Sequence, residues 1–137
     1  MTIPFLACMA SVAAFYHLPP RVLPSIQAVE GGLHGLAHAN HDGSLDLGVM
    51  QVNSRWVQPL AHYTGMTPAD AEQRLLFDGC FNIAVAGAIM RIYLNEAGGD
   101  LLRAVGYYHS HSAPLAEDYQ RLVLGSAKRL FSTPQSR

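Results

Sequence analysis

The chain has 137 residues and a mass of 14.9 kDa, and 50% of its residues are hydrophobic, which suits the core of one ordinary domain. Its formal net charge of −1 and its scattered Lys and Arg residues provide no basic surface for nucleic acid or another polyanion. No apolar run reaches the roughly 18 to 20 residues that a membrane-spanning helix needs. We therefore predict a single domain over residues 1–137, monomeric and without a membrane span.

The first apolar segment, residues 3–15, allows two interpretations. It has the length of a signal peptide, and Ser11-Val12-Ala13 resembles a small-residue cleavage site. However, it lacks a preceding basic region, and cleavage there would remove Cys8. We favour an amphipathic helix of the mature protein, with a leader removed upstream, because apolar residues recur with helical spacing: Phe5, Cys8, Met9, Val12 and Ala13.

Proline and glycine residues divide the next part of the chain. The pair Pro19-Pro20 ends the first helix, and a second helix over residues 21–30 stops at Gly31-Gly32. The polar residues 38–47 predict a short hairpin or irregular turn that forms the wall of a cleft. Residues 51–62 are predicted to form the next helix.

Four further helices are predicted in the second half of the sequence. They span residues 68–77, 79–97, 101–109 and 114–130. Thr67 and Pro68 are typical of a helix N-cap and first helical residue, and Asp100 can cap the helix after it. The helix over 79–97 is the predicted centre of the core, with this buried face: Phe81, Ala84, Val85, Ala88, Ile89, Ile92 and Tyr93. Residues 132–137 are predicted to be a loose tail.

The two cysteines, Cys8 and Cys80, leave two alternatives open at the level of sequence. They are either two buried thiols or a disulfide between the first helix and the central one. A disulfide would close a long loop and contribute about 4 kcal/mol by restricting the unfolded chain. It would also indicate an oxidising compartment.

The strongest chemical lead is one carboxyl group. Glu30 ends an apolar segment, and Gly48-Val49-Met50-Gln51-Val52-Asn53 follows eighteen residues later. A carboxyl group delivered by an apolar helix into a glycine-containing bend can stay protonated near neutral pH, as a general acid must. Asp42 and Asp46 are the nearest candidates for a second acid, but the need of a polar loop for turn residues explains them more simply.

Four segments match a set of motifs. They are a Glu ending a helix after a proline turn, a Gly-apolar-Met-Gln-apolar-Asn run, an Asn followed by small residues and Gly, and part of Gly-Ala-Tyr-Asn-x-Gly, at residues 20–30, 48–53, 82–87 and 106–111. With these motifs, residues 8–131 resemble the lytic transglycosylases of the lysozyme-like superfamily, specifically the small ones that accompany secretion, conjugation and pilus machines. The resemblance implies an all-α, lysozyme-like fold of six to seven helices around a central helix. It also implies a disulfide between Cys8 and Cys80.

The chemistry that this resemblance implies is cleavage of the β-1,4 bond between N-acetylmuramic acid and N-acetylglucosamine in peptidoglycan, without a cofactor. Glu30 would protonate the glycosidic oxygen and then accept the proton of the muramyl 6-hydroxyl as the 1,6-anhydro ring closes. The implied supporting roles are Gln51 and Asn82 as donors to sugar or acetamido groups, Tyr108 and Tyr119 as platforms with hydroxyls aimed at the acid, Met50 as a pocket wall, and His109 as a donor replacing an amide.

Three residues depart from the family pattern and keep other functions open. Gly31 stands where the family has Ser, and His109 and His111 stand where it has the Asn and Gly that line the sugar groove. A weak enzyme, an inactive glycan-binding or assembly component of an envelope machine, and a water-using muramidase are the alternatives. Substrate and cysteines together predict a periplasmic location, and the family branch alone predicts partners in a secretion, conjugation or pilus apparatus.

The seven histidines suggest a metal site as an alternative to the glycosidic chemistry. Glu30, His34 and His38 recur at four-residue spacing, which would suit zinc if one helix carried all three. Gly31-Gly32 argues against a continuous helix, and no His-Glu-x-x-His motif is present. We therefore expect no metal.

Overall fold

Helices provide most of the secondary structure in residues 3–132, the part of the chain that the computed structural model describes. Within this part the helices are α1 Leu6–Phe15, α2 Val22–Glu30, α3 Val57–Thr64, α4 Pro68–Phe77, α5 Gly79–Glu96, α6 Leu101–His109 and α7 Ala113–Phe131. Three short antiparallel strands form one sheet in the order β1 Ala37–Ala39, β2 Leu45–Leu47 and β3 Val52–Asn53. The predicted all-α class, with a small hairpin in the polar segment, is confirmed.

Side-chain caps explain where three of the helices begin. Thr67 Oγ1 accepts a hydrogen bond from the backbone of α4, as predicted, and Asp100 does the same for α6. Asp78 caps α5 by accepting from the backbone N–H of Phe81 at 3.0 Å. Because α4 ends at Phe77 and α5 begins at Gly79, this single aspartate separates the two helices.

The central position of α5 is confirmed, but its predicted buried face is only partly correct. The helix packs against α1, α4 and α6. Its most buried apolar residues are Ile83, Val85, Ala86, Ile89, Met90, Tyr93 and Leu94. Ile92 is 49% exposed, and with Phe81, Ala84 and Ala88 it lines an apolar surface groove facing α3. The prediction failed because α5 is apolar on most sides, so periodicity singles out no one face.

The predicted helix over residues 51–62 begins six residues too early. Gln51 has a positive φ of 52°, Val52–Asn53 forms β3, and a 3₁₀ turn spans Ser54–Trp56 before α3 begins. Asn53 Oδ1 accepts from the backbone N–H of Arg55 at 3.0 Å and so starts the turn. A short polar side chain at this position therefore interrupts the apolar pattern that suggested a helix.

Cys8 and Cys80 form a disulfide, as the resemblance implied. It joins α1 to the start of α5, with the two Cα atoms 5.5 Å apart. The bond closes a loop between residues 72 positions apart in the sequence. It therefore fixes the N-terminal helix to the first turn of α5.

Two further predictions concern membrane spans and the tail. No single helix in residues 3–132 is long and apolar enough to cross a membrane, although α4 and α5 together meet the length and composition criteria as a pair bent by 107°. Of the predicted tail 132–137, only Ser132 is described, and it follows the end of α7. The rest of that prediction lies outside the described residues.

Candidate active site

Glu30 is the last residue of α2 and lies at the edge of a cleft. Gly31 ends the helix with a positive φ of 64° and donates its N–H to the carbonyl of Gln27 at 2.8 Å. Gly32 then passes so close to the next loop that a Cβ would overlap the carbonyl oxygens of Gly48 and Val49. The helix end that carries the acid is therefore packed, backbone to backbone, against the Gly48–Asn53 motif.

The Gly48–Asn53 segment is held in place by Asn82, which is completely buried on α5. Its Oδ1 accepts from the N–H of Met50 at 2.8 Å, and its Nδ2 donates to the carbonyls of Leu47 and Leu75 at 2.8 and 2.9 Å. The expectation that Asn82 donates to a sugar is wrong, because its amide is enclosed and bonded to backbone groups. Asn82 shapes the loop beside the acid.

The resemblance also implied roles for two residues of the motif. Met50 is 0% exposed and does not line the cleft, so it belongs to the core and is not a wall of the site. Gln51 does line the cleft, but its Nε2 donates to the carbonyl of Gly48 at 3.0 Å. In this arrangement the Gln51 amide stabilises its own bend, and its role as a donor to sugar stays a prediction.

Tyr119 makes the contact with the acid that the family resemblance implied. Its hydroxyl donates to Glu30 Oε2 at 2.6 Å, from α7 to the end of α2. The Tyr119 side chain is only 4% exposed, and the ring of His109 stacks on it with centroids 5.0 Å apart. Tyr119 therefore holds the carboxyl group in place through its hydroxyl. Its predicted role as a stacking surface for sugar is wrong, because the side chain is buried.

Tyr108 and His109 line the cleft, as expected, but the Tyr108 hydroxyl does not bond to the acid. It donates to the carbonyl of Met50 at 2.8 Å and so adds a second tie to the motif loop. His111 lies outside the cleft, where its ring stacks on Tyr107 and its Nε2 contacts Glu96 at 2.8 Å. His111 therefore does not line this cleft, although it stands at the sequence position of the family's groove-lining glycine.

Burial raises the pKa of Glu30 from its ordinary 4.5 to about 7. The Tyr119 hydrogen bond opposes this increase because it favours the charged form, while the negative charge of Asp46 adds to it and His38 slightly lowers the pKa. Burial and the nearby carboxyl group also raise the pKa of Tyr119 well above 10, so its hydroxyl remains a proton donor. At neutral pH, Glu30 is thus balanced between its acid and carboxylate forms.

The cleft has a volume of about 370 Å³ and lies between α2, the hairpin and α6. It is lined by Glu30, Asn40, His41, Asp42, Ser44, Asp46, Gln51, Val52, Asn53, Arg55, Trp56, Ile89, Tyr108 and His109. The sequence did not predict cleft positions for Ile89, which was expected only in the core, or for Arg55 and Trp56. The position of Arg55 and Trp56 directly after the Gly48–Asn53 motif, in the Ser54–Trp56 turn, was the signal that could have indicated these two.

The two candidates for a second acid take part in the structure of the hairpin. Asp42 Oδ1 accepts from the backbone and the hydroxyl of Ser44, and these bonds hold the pKa of Asp42 below its ordinary value. Asp46 Oδ1 accepts from Asn53 Nδ2 at 3.0 Å. Both side chains also line the cleft, so a bound ligand could contact either of them.

The spacing of Glu30, His34 and His38 does not create a metal site, because α2 ends at Glu30 and His38 lies in β1. In residues 3–132, no group of three His, Cys, Asp or Glu side chains is arranged to hold a metal ion.

Comparisons with known proteins identify relatives over most of the chain. A family model described as the Transglycosylase SLT domain matches residues 7–121. Proteins named Invasion protein IagB, from Salmonella typhimurium and Salmonella typhi, are 29% identical over 119 residues. The matched region covers 83% of this chain and 68% of those proteins.

Proposed function

The chain belongs to the transglycosylase SLT domain family, whose members are lytic transglycosylases acting on peptidoglycan, and on this premise we propose that Glu30 alone performs the proton transfers. The bond cleaved is the β-1,4 bond between N-acetylmuramic acid and N-acetylglucosamine. The product is a 1,6-anhydromuramic end. The observation that supports this most directly is the half-buried carboxyl group of Glu30, bonded to Tyr119 and with a pKa of about 7.

In the first step, protonated Glu30 donates its proton to the glycosidic oxygen while the bond from that oxygen to C1 of the muramyl residue breaks and the neighbouring acetamido oxygen bonds to C1. Tyr119 donates to Oε2, so Oε1 is the atom that would meet the substrate. In the second step, the muramyl 6-hydroxyl oxygen bonds to C1, the bond from C1 to the acetamido oxygen breaks, and the hydroxyl proton returns to the Glu30 carboxylate. No water is consumed, and the acid is regenerated.

One carboxyl group is sufficient because the nucleophile belongs to the substrate. A second carboxylate in ordinary glycosidases activates water or forms a covalent intermediate, and an internal hydroxyl together with the neighbouring acetamido group removes that need. The Tyr119 hydroxyl would stabilise the carboxylate between the two steps, since hydrogen bonds to charged groups are stronger than those to neutral ones. A pKa near neutrality allows the same group to release and recover the proton.

A water-using muramidase is the second candidate, because Asp46 lines the same cleft as Glu30. The products distinguish the two reactions, and mass spectrometry of digested peptidoglycan detects them. Anhydro-muropeptides, lighter by one water than their hydrolytic counterparts, support the proposal, and reducing ends refute it. Glu30→Gln should abolish solubilisation. Asp46→Asn, its matched control, should keep anhydro products, whereas it would be inactive if Asp46 activated water.

The same proposal includes the cellular role. We expect the chain to act in the periplasm and to open the wall locally for an envelope-spanning secretion, conjugation or pilus apparatus. The disulfide suits an oxidising compartment, and the relatives are named as invasion proteins. Fractionation of cells after thiol trapping tests this, and a cytoplasmic chain with free Cys8 and Cys80 would contradict it. An inactive chain that still binds glycan would instead favour an assembly component.

A further inference from the structure

Arg55 is a cleft residue with a fixed position. It lies in the Ser54–Trp56 turn and lines the cleft together with Glu30. Its Nη2 donates to the hydroxyl of Tyr93 at 3.0 Å, and Tyr93 is only 5% exposed on α5. Trp56 adds a weaker contact, with the Arg55 guanidinium carbon 5.9 Å from its ring centroid. Arg55 is itself exposed, but the buried Tyr93 hydroxyl holds its guanidinium at the cleft.

The charges around the cleft make Arg55 unusual. The acidic side chains lining it are Glu30, Asp42 and Asp46, and Arg55 is the one Lys or Arg among the described lining residues. Within residues 3–132, the ion pairs are Arg74 with Asp78, Arg121 with Asp118, and His111 with Glu96. Arg55 therefore lies within ion-pair distance of no carboxylate in the described part of the chain. Its charge acts on Asp42 from further away and adds to the Ser44 hydrogen bonds in lowering the pKa of that carboxyl group.

We propose that Arg55 binds a carboxylate on the muramic acid branch of the substrate and so determines specificity for peptidoglycan over neutral glycans. This rests on the proposed function. Sugar hydroxyl and acetamido groups are neutral, whereas the muramyl branch carries carboxylates, either in its stem peptide or, once the peptide is removed, in its lactyl group. Asp42 and Asp46 would repel such an anion, and a guanidinium offers it paired N–H donors. Tyr93 acts as a positioning residue for Arg55.

The test is the affinity of glycan strands, measured by calorimetry with Glu30→Gln as the background so that no ligand is consumed. Three preparations of the same strands are compared: strands with stem peptides, strands freed of peptides, and freed strands whose lactyl carboxylates are capped as neutral methyl amides. Arg55→Gln should weaken binding of a carboxylate-bearing preparation about fivefold and leave the capped strands unchanged. Added salt should reduce this difference.

Two further variants separate anion binding from a loss of cleft shape. Arg103→Gln is the matched control, because Arg103 also donates to a tyrosine hydroxyl, that of Tyr107 at 2.8 Å, but lies outside the cleft. It should change no affinity. Tyr93→Phe should weaken binding of the carboxylate-bearing strands less than Arg55→Gln does, with no effect on capped strands, a selectivity that a merely structural role would not produce.

The affinities of the three strand preparations decide whether Arg55 binds a carboxylate. An Arg55 effect confined to strands with stem peptides identifies a peptide carboxylate, and an effect confined to uncapped freed strands identifies the lactyl group. An equal loss for all three preparations, or no loss for any, overturns the proposal. Turnover by the unmodified chain is measured separately. If cleavage is absent while Arg55-dependent binding persists, the proposed reaction fails and this inference stands.

Discussion

Replacing Glu30 by glutamine should make the folded protein more stable at alkaline pH. The carboxyl group has a pKa of about 7 in the folded chain against 4.5 as its ordinary value, so folding favours its protonated form. Its contribution to stability is fully present below about pH 4.5 and is lost as the pH rises through about 7. Glutamine stays neutral throughout and can still accept the Tyr119 hydrogen bond.

The size of the effect follows from the pKa difference. An increase from 4.5 to about 7 corresponds to at most about 3 kcal/mol of unfolding free energy. Because Glu30 is only partly shielded from solvent, we expect about 2 kcal/mol. The advantage of Glu30→Gln over the unmodified protein should thus grow by this amount between pH 4 and pH 8.

Urea unfolding of the oxidised protein at pH 4, 6 and 8 measures this difference. In this difference, the contributions to the unfolding free energy from groups that titrate identically in both proteins cancel. Glu117→Gln is the matched control, since Glu117 is exposed on α7, and its difference from the unmodified protein should change by less than about 0.5 kcal/mol over the same range. Equal pH dependence of Glu30→Gln and the unmodified protein would refute burial of the acid as the source of its raised pKa.

Three other substitutions test the surroundings of the acid. Tyr119→Phe removes a donor that favours the charged form of Glu30, so the alkaline limb of the pH–rate profile for peptidoglycan solubilisation should move up by about one pH unit. Asn82→Ala leaves three buried backbone groups without their partner and should lower the free energy of unfolding by about 3 kcal/mol or more in urea. Gly48→Ala should cost about 2 kcal/mol or more in the same assay, because φ is 72° and a Cβ would overlap the Leu75 carbonyl.

Each of these three substitutions has a control or an outcome that would contradict it. An alkaline limb that stays in place or moves down in Tyr119→Phe would contradict the assigned hydrogen bond. Asn95→Ala removes an exposed amide bonded to Arg91 and should cost under about 1 kcal/mol, so a similar loss at both asparagines would count against the role of Asn82. Gly43 also has a positive φ, of 87°, but it has open space around it, so Gly43→Ala measures the cost of the backbone angle alone. Only the additional cost of Gly48→Ala reports the close approach to Leu75.

The acid could be predicted from local signals, whereas its partner Tyr119 was predicted only through the family resemblance. Glu30 follows an apolar helix and precedes two glycines. The periodicity of the last helix predicts that Tyr119 is buried, but not that it contacts Glu30. Such patterns are set by a few neighbouring residues. Burial of Glu30, and with it the raised pKa, follows from the same apolar helix.

The roles of Asn82, Met50 and Tyr108 could not be predicted because a motif shows that a residue type is used, not what it contacts. Asn82 bonds to Leu47, 35 residues away in sequence, and Tyr108 bonds to Met50, 58 residues away. An amide or hydroxyl in a motif can bind substrate or backbone, and only the folded arrangement distinguishes the two. The start of α3 was missed because the positive φ of Gln51 and the turn that Asn53 starts interrupt a segment whose apolar spacing suggested a helix.

The distance in sequence between Glu30 and Tyr119 has a consequence for biogenesis. The two residues are 89 positions apart, and α7 is joined to α2 by a buried hydrogen bond from the Ser126 hydroxyl to the carbonyl of Ser25 at 2.6 Å. Synthesis proceeds from the N-terminus, so a nascent chain contains the acid long before the helix that completes its surroundings has left the ribosome. A translation product that stops before α7 would therefore lack the Tyr119 donor. The site can be completed only after the last helix has been synthesised.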